Sequence, residues 1–461
     1  MKKHSSTSTM VTTSALLLVL ISFVVGQSYA RELRDPYDWP FSKTSIWNTP
    51  IGSEAEYTPQ PVNPEHIDGV MVDADIIVMR PDAQLMKVYG TEYRWGPNTN
   101  RATRCERYND IVHLELPIPR GYVTEFYGSR PNNPGAILST DGRTLIQTQP
   151  FQVCEDGYAT TGLKTPGGEP IDEILRVEDG DILGEGIRGM HGGSGLSSLG
   201  GAIRVGELSP GSDSIRHALK ISFPGEHYLY YDHEKDKGYR WPAYQDDSNA
   251  ERAYTGNNPQ ALQGVLRAIP RDIDIDSLGL ETEPGRKIAW TLQNYGAYQV
   301  EGVPWAQMMI AVEEGPDGDV AKEFSQDWGY EMVTQDKKGN PWFRDIIRLM
   351  EVLHIVTNNG PETIGGGGEP LQPLAPDFVP LNRLHVTTDG TEGAEIYPSG
   401  ELHRKEGHEY TIRVTDLPKG YEFSHWEITE GAPVLDNAGS LEVQVLLNGH
   451  DASIQAVFAA Q

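Results

Sequence analysis

The sequence predicts a mainly β protein: a large β-rich part with a few helices, a Gly/Pro-rich linker and a small C-terminal β module. Three observations carry this. Glycine (49) and proline (32) are abundant alongside 21 tyrosines and 9 tryptophans in 461 residues, a composition suited to strands and turns rather than a helical bundle. Short runs of alternating apolar and polar residues recur, separated by turn signals such as Asp141-Gly142 and Asp156-Gly157. A stretch from Asn358 to Pro380, with Gly365-Gly366-Gly367-Gly368 followed by Pro370, Pro373, Pro376 and Pro380, divides the chain.

The N-terminus predicts export. Lys2 and Lys3 precede an apolar run over residues 15–25, and Ser28-Tyr29-Ala30 offers the small residues a signal peptidase reads, so residues 1–30 read as a signal peptide. The run spans 11 residues, whereas a bilayer core needs roughly 20, so no membrane span is expected there or later. Cleavage leaves 36 basic against 66 acidic side chains, a formal charge of −30. Such a field disfavours nucleic acid and anionic lipid as general partners. Cys105 and Cys154, the only cysteines, form an even pair and predict one disulfide in an oxidising compartment.

Residues 31–357 open with Trp39-Pro40-Phe41 and Trp47-Asn48-Thr49-Pro50-Ile51, without a helical period. Strands are expected over 69–79, 111–116, 136–140, 145–149, 202–208, 216–223 and 227–231. Helical spacing is found mainly at 286–298 and 342–353, so a predominantly β domain with a few packed helices follows. Residues 358–381 read as linker. Beyond them, 384–388, 409–414, 422–426, 441–445 and 453–458 alternate as strands of a half-exposed sheet.

Two resemblances attach to these residues. Within 382–461, the order Gly393, Tyr397-Pro398-Ser399-Gly400, Gly407, Gly420-Tyr421-Glu422-Phe423-Ser424-His425-Trp426 and Ile454-Gln455-Ala456-Val457-Phe458 resembles one copy of the internalin-type bacterial surface repeat. The resemblance covers about 75 residues and implies a small β module for spacing or attachment, without chemistry. Residues 35–357 loosely resemble secreted bacterial proteins through Trp47-Asn48, Ile203-Arg204 with Glu207, Ile215-Arg216-His217-Ala218-Leu219 and Arg240-Trp241-Pro242-Ala243. This implies a single domain and no reaction.

Candidate chemistry concentrates in residues 184–220. In an acidic chain this stretch gathers Arg188, His191, Arg204, Arg216, His217 and Lys220 against Glu185, Glu207 and Asp213. The loop Gly189-Met190-His191-Gly192-Gly193-Ser194-Gly195-Leu196-Ser197-Ser198-Leu199-Gly200-Gly201 would let a backbone approach a ligand closely. It lacks the Walker lysine and the nucleophile-elbow spacing, so nucleotide binding and a serine-hydrolase elbow are disfavoured against a tight structural loop. Period-2 alternation places His217 and Glu207 towards the apolar side, where burial moves pKa values towards neutrality, and Arg204, Arg216 and Lys220 on the other. Core packing of His217, a buried ion pair for Glu207 and a solvated face for the cations are the plain structural alternatives. Downstream, Tyr228, Tyr230, Tyr231, Tyr239, Trp241 and Tyr244 form an aromatic cluster of a kind that stacks on sugar rings or fills a β core.

These residues support three functional expectations. A secreted lyase would cleave a uronate-containing polysaccharide, sulfated or not, by β-elimination: His191 or His217 as base, Arg204 and Arg188 as carboxylate neutralisers, Tyr230 or Tyr239 as acid, with Arg216, Lys220 and Trp241 binding substrate. A glycoside hydrolase would pair Glu207 with Asp181, Asp232 or Glu185. A carbohydrate-binding or adhesive protein would need no catalysis. No cofactor is expected, and zinc-protease histidine spacing is absent. Asp272, Asp274, Asp276 and Glu283 have calcium-loop spacing with Ser277 where a glycine belongs, so the sequence raises a structural calcium ion, beside an assembled metal site using His191 or His233.

Overall fold

Strands outweigh helices, 36% against 13% of residues, so the protein is mainly β as its sequence predicts. The computed structural model describes Met1 and residues 33–461 apart from 94, 96–97, 128–130, 163–174 and 177–179. The segment read as a signal peptide, Met1 aside, lies outside the described residues. No described helix is long and apolar enough to cross a membrane.

Eleven strands form the central sheet: β1 (Tyr57–Pro59), β2 (Gly69–Val78), β3 (Gly135–Leu138), β4 (Leu145–Thr148), β5 (Leu175–Arg176), β6 (Leu219–Pro224), β7 (Leu266–Ala268), β8 (Ala297–Val303), β9 (Gln307–Gly315), β10 (Gly318–Asp319) and β11 (His354–Val356). Their spatial order is β5-β4-β3-β2-β9-β6-β8-β7-β11-β1, with β10 paired to β9. The sheet is mixed: β2 runs parallel to β9 and β3, and β6 parallel to β8, while β6 meets β9 antiparallel.

Alternation along the central strands makes two unlike faces. Val70 and Val72 of β2, Leu219, Ile221 and Phe223 of β6, and Met308, Ile310 and Val312 of β9 share one buried apolar cluster. Three helices cover it: α1 (Glu283–Asn294), α2 (Val320–Trp328) and α3 (Pro341–Met350), contributing Ile288 and Leu292, Phe324, and Trp342, Phe343, Ile346 and Leu349. Each has a side-chain N-cap that satisfies an otherwise orphan backbone donor: Thr282, Asp319 and Asn340. The opposite face carries Asp73 and Asp75 of β2 and Lys220 and Ser222 of β6, all buried, and is covered by the glycine-rich loop rather than by helices.

Several local expectations are corrected. Residues 202–208 are not a strand; Ile203 makes an isolated bridge to Val312, and the chain then turns, with Glu207 N donating to Arg204 O at 3.1 Å. Residues 227–231 begin with a helical turn, Gly225–Tyr228, and only Tyr230 bridges, to Thr255. The strand expected from 216 begins at Leu219. Strands β8 and β9 and helix α2, absent from the expectations, are central, because mixed polar and apolar strands buried on two unlike faces lack a clean period. A separate four-stranded sheet, ordered Val112–Pro117, Leu85–Thr91, Ala159–Gly162, Phe151–Val153, carries the disulfide between Cys105 and Cys154, as expected from the even pair.

The stretch expected to be a slack linker is packed. Leu33–Arg34 pairs in parallel with Asp377–Phe378, Gly52 bridges Pro370, and Gly365 and Gly366 are buried. The glycines serve close approach instead of flexibility. A Cβ on Gly52 would lie 1.9 Å from the backbone oxygen of Gly367. Beyond it, residues 381–460 form two four-stranded sheets around their own core, with Leu384, Val386, Ile412, Trp426, Val443 and Ile454 buried. All of residues 33–461 belong to one compact unit.

Replacing Gly52 by alanine is therefore expected to cost about 1–3 kcal/mol, the usual penalty for forcing an added group into close-packed backbone. Urea unfolding measures it; a midpoint equal to the parent would show that the 365–370 segment yields freely.

Candidate functional site

The polar face of the sheet is organised by one lysine. Lys220, fully buried on β6, places Nζ 2.7 Å from Asp75 Oδ2 and donates to Ser197 O at 2.8 Å. Its partner Asp75 accepts from His191 Nδ1 at 2.7 Å, and His191 Nε2 lies 3.4 Å from Asp73 Oδ2. Burial lowers the Lys220 pKa, with the Asp75 charge opposing. Strand β2 supplies both aspartates at i and i+2, hence on one face. The glycine loop supplies His191 and Ser197, so the same ion-pair group clamps the loop to the sheet.

A β-bulge adds a third acidic side chain. The β6–β8 register shifts between Ile221 and Ser222, so Ile221 pairs with Gln299 but Ser222 pairs with Glu301. The extra residue, Val300, flips the alternation and turns Glu301 to the side of Lys220 and Ser222. Asn132 Nδ2 donates to Glu301 Oε2 at 2.6 Å and to Asp73 Oδ2 at 3.3 Å. These two carboxyl oxygens thus lie within about 6 Å of each other.

A fourth carboxyl completes the group. Asp247 Oδ2 accepts from Gly302 N at 3.0 Å and from the Tyr254 hydroxyl. Glycine at 193 is required here, because a Cβ would lie 2.0 Å from Asp247 Oδ1. Asp247 and Glu301 line one cavity of about 660 Å³, with Ser248, Asn249, Arg252 and Thr255 around them. Its walls mix polar side chains with Ala253, Val303 and Pro304, and Arg252 at its lining is exposed.

The carboxyls differ in proton affinity. Burial first, then the charges of Asp247 and Asp73, push Glu301 well above the ordinary glutamate range, against the hydrogen bond from Asn132. Burial raises Asp247 to about 6, restrained by the Tyr254 and Gly302 hydrogen bonds. Asp73 is also raised, mainly by burial, with His191 opposing. Both carboxyls on the cavity are thus held at raised proton affinity by burial, Glu301 also by the charges of Asp247 and Asp73. Raised carboxyl pKa values beside a cavity suit acid–base chemistry.

The residues singled out from sequence divide into separate groups. His191 and Lys220 meet through Asp75. Arg204 does not join them: Nε donates to Glu313 Oε2 at 2.7 Å, and the remaining guanidinium nitrogens reach Asp38 O at 2.8 Å and Tyr37 O at 3.2 Å. His217 Nε2 lies 3.1 Å from Glu207 Oε2, and its Nδ1 faces Ala218 O at 2.9 Å. Burial alone would push His217 down and Glu207 up. Their mutual charge and hydrogen bond outweigh it, holding His217 above and Glu207 below their ordinary values. A carboxyl held ionised is the reverse of a general acid, and half-buried Glu207 forms an ion pair with His217.

The other candidates spread further. Arg188 is exposed with its guanidinium 5.2 Å from the Tyr244 ring, and Arg216 lies 5.1 Å from the Trp39 ring. Lys237 approaches the Tyr239 ring at 5.4 Å. Trp241 packs, half-buried, on the core of the polar face, and Tyr230 is half-buried beside Ala261. Of the alternative carboxylates, Asp181 pairs with Arg143 at 2.6 Å and Asp232 with Lys235 at 2.7 Å, while Glu185 accepts from Ser42 at 2.8 Å. The cations gathered along residues 188–217 are thus resolved into distinct pairs, because each of them meets a nearby carboxylate or ring of an acidic chain.

The calcium spacing also separates. Asp274 caps the short helix Ile275–Leu278, and Glu283 accepts from Gly211 N at 2.9 Å. No group of three or more histidine, cysteine, aspartate or glutamate side chains among the described residues is arranged to hold a metal ion. Asp73, Asp75, Asn132, Asp247 and Glu301 escaped the sequence reading. Two of them did leave a signal: Asp73-Ala74-Asp75 interrupts an otherwise apolar strand, and a buried carboxylate is uncommon without a partner.

Replacing Lys220 by methionine, which keeps the stem and removes the charge, leaves Asp75 and His191 without their cation. The expected loss is about 3–5 kcal/mol, as for one half of a buried ion pair. Chemical denaturation checks it, and a variant as stable as the parent would mean that Lys220 does not hold the glycine loop. Comparison with known proteins adds no relative: no family model, no curated protein and no solved structure matches the chain.

Proposed function

We propose that the protein is a secreted enzyme that hydrolyses glycosidic bonds of an extracellular polysaccharide, with Glu301 as proton donor and Asp247 as its ionised partner. The observation that carries this is the pair of carboxyls on one cavity, both raised in proton affinity by burial, and Glu301 further by the charge of Asp247. The protonated Glu301 gives its proton to the departing glycosidic oxygen as that bond to the anomeric carbon breaks. The Asp247 carboxylate either attacks that carbon or takes a proton from an attacking water. Asn132 positions Glu301, and the Lys220–Asp75–His191 group holds Asp73 and the glycine loop behind the pair. Secretion is supported by the basic and apolar leader and by the disulfide, which persists in oxidising compartments. Ser248, Asn249 and Thr255 beside Ala253, Val303 and Pro304 offer sugars both hydroxyl-bonding and apolar contacts.

The β-elimination expected from sequence keeps one supporting feature. Arg252 at the cavity rim is exposed and would meet a uronate carboxylate. The two reactions leave different products, since elimination creates an unsaturated uronate that absorbs in the ultraviolet and hydrolysis creates reducing ends without it. A panel of uronate-containing, sulfated and neutral polysaccharides, assayed for both, is expected to yield reducing ends alone. Failure of every substrate in both assays would remove the enzymatic reading and favour the adhesive one.

Two variants test the assignment once a substrate is found. Glu301→Gln is expected to lower turnover by about 10²–10⁴-fold, the usual contribution of a positioned general acid, with folding intact by circular dichroism. Asp73→Asn removes a negative charge that opposes deprotonation of Glu301. The pKa of Glu301 then falls, and the alkaline limb of the pH–rate profile moves to lower pH. A limb that stays fixed or moves upward would exclude Glu301 as the group that must be protonated.

A further inference from the structure

The C-terminal module meets the main body in two ways. Along one seam the contact is closed: Lys405 Nζ lies 2.6 Å from Asp35 Oδ2, Arg404 donates to Thr140 O at 2.9 Å, and His403 N donates to Asp141 O at 2.6 Å. Beside this seam a cleft of about 910 Å³ lies between the two parts. The body contributes Gln84, Leu85 and Arg120, and the module contributes Thr387, Tyr397 and Arg413. The Tyr397 hydroxyl donates to Ala83 O at 2.6 Å, so the cleft's width is set by a bond across it. A second hollow of about 460 Å³ shares Gln84 and Arg120 and is also lined by Asp82 and by Arg80, which pairs with Asp317.

Its charge is opposite to that of the chain. Acidic side chains outnumber basic ones 66 to 38 overall. The cleft reverses this balance: its lining includes Arg120 and Arg413 against the single carboxylate of Glu395. Arg120 is exposed and forms no hydrogen bond or ion pair with a described residue. Arg413 lies 5.2 Å from the Tyr397 ring and 3.8 Å from Glu442 Oε2, a separation beyond a direct hydrogen bond. Gln84 supplies an independent sign of an absent partner, because its buried Oε1 has no hydrogen-bond partner among the described residues. Guanidinium forks fit carboxylate and sulfate oxygens, while Leu85 and the Tyr397 edge offer apolar surface for sugar C–H groups.

We propose that this cleft binds a segment of an anionic polysaccharide, whose carboxylate or sulfate groups are taken by Arg120 and Arg413. The module then acts as one wall of a binding groove that is remote in sequence from Asp247 and Glu301. Binding there requires no turnover, so the proposal stands independently of the catalytic reading.

Affinity electrophoresis of the full chain in gels containing dextran sulfate, polygalacturonate or neutral dextran tests it. Retardation is expected from at least one polyanion and not from dextran, and which polyanion acts distinguishes sulfate from carboxylate recognition. The double variant Arg120→Ala/Arg413→Ala is expected to lose at least tenfold in affinity with an unchanged melting temperature. A variant of equal charge change elsewhere, Lys338→Ala/Arg383→Ala, should retain binding. Arg120→Ala alone, at an exposed position, should weaken binding without any effect on folding. Absence of retardation by both polyanions, equal retardation by dextran, or unaltered binding in the Arg120→Ala/Arg413→Ala variant would overturn the proposal.

Discussion

The buried Lys220–Asp75 ion pair is the constraint on which the rest of the polar face depends. A lysine ammonium and an aspartate carboxylate, both fully buried, are tolerable only together, since either alone would carry a large desolvation penalty. Lys220 also donates to Ser197 O and Asp75 also accepts from His191 Nδ1, and both partners belong to the glycine loop. Electrostatic satisfaction therefore dictates loop position. The helix-covered face of the same sheet obeys a different rule: its apolar side chains need only complementary volume, which α1, α2 and α3 provide.

Once the loop is fixed, close backbone approach becomes possible and useful. Gly193 leaves room for the Asp247 carboxyl, and Asp247 in turn takes a hydrogen bond from Gly302, next to Glu301. The bulge in β8 turns Glu301 to the same side. The cavity chemistry thus arises from three ordinary devices acting together: an ion pair that anchors a loop, a missing Cβ and one extra residue in a strand. Burial then differentiates the carboxyls, and the Asn132 amide spans two of them.

The Arg204–Glu313 and His217–Glu207 pairs illustrate how an acidic chain absorbs its own cations. Each lies on the segment where sequence alone suggested a cationic island, and each is matched by a carboxylate from a distant or neighbouring turn. The module cleft is the converse case, lined by Arg120 of the body and Arg413 of the module with Glu395 as its one carboxylate. Density of charge along the chain and density of charge in space are independent quantities.

What the sequence determined by itself follows from local chemistry. Periodicity identified the long apolar strand at 69–79, the strands of the C-terminal module and two helices, because those patterns depend only on residues a few positions apart. The helix expected over 286–298 nevertheless ends at Asn294, and the last two residues of that range open strand β8. The even cysteine pair anticipated the disulfide. His191 and Lys220 were legible as unusual residues, and Asp73 and Asp75 could have been, since carboxylates in an apolar run need partners. Tertiary structure alone decided which residues share a site. Glu301 reaches the cavity through a register shift that inverts every side chain beyond it, Asp247 through a loop with no pattern, and the glycine run at 365–368 is packed where composition suggested slack. The physical reason is common to all three: a face, a register and a close approach are relations between segments far apart in sequence, and local periodicity carries no information about them.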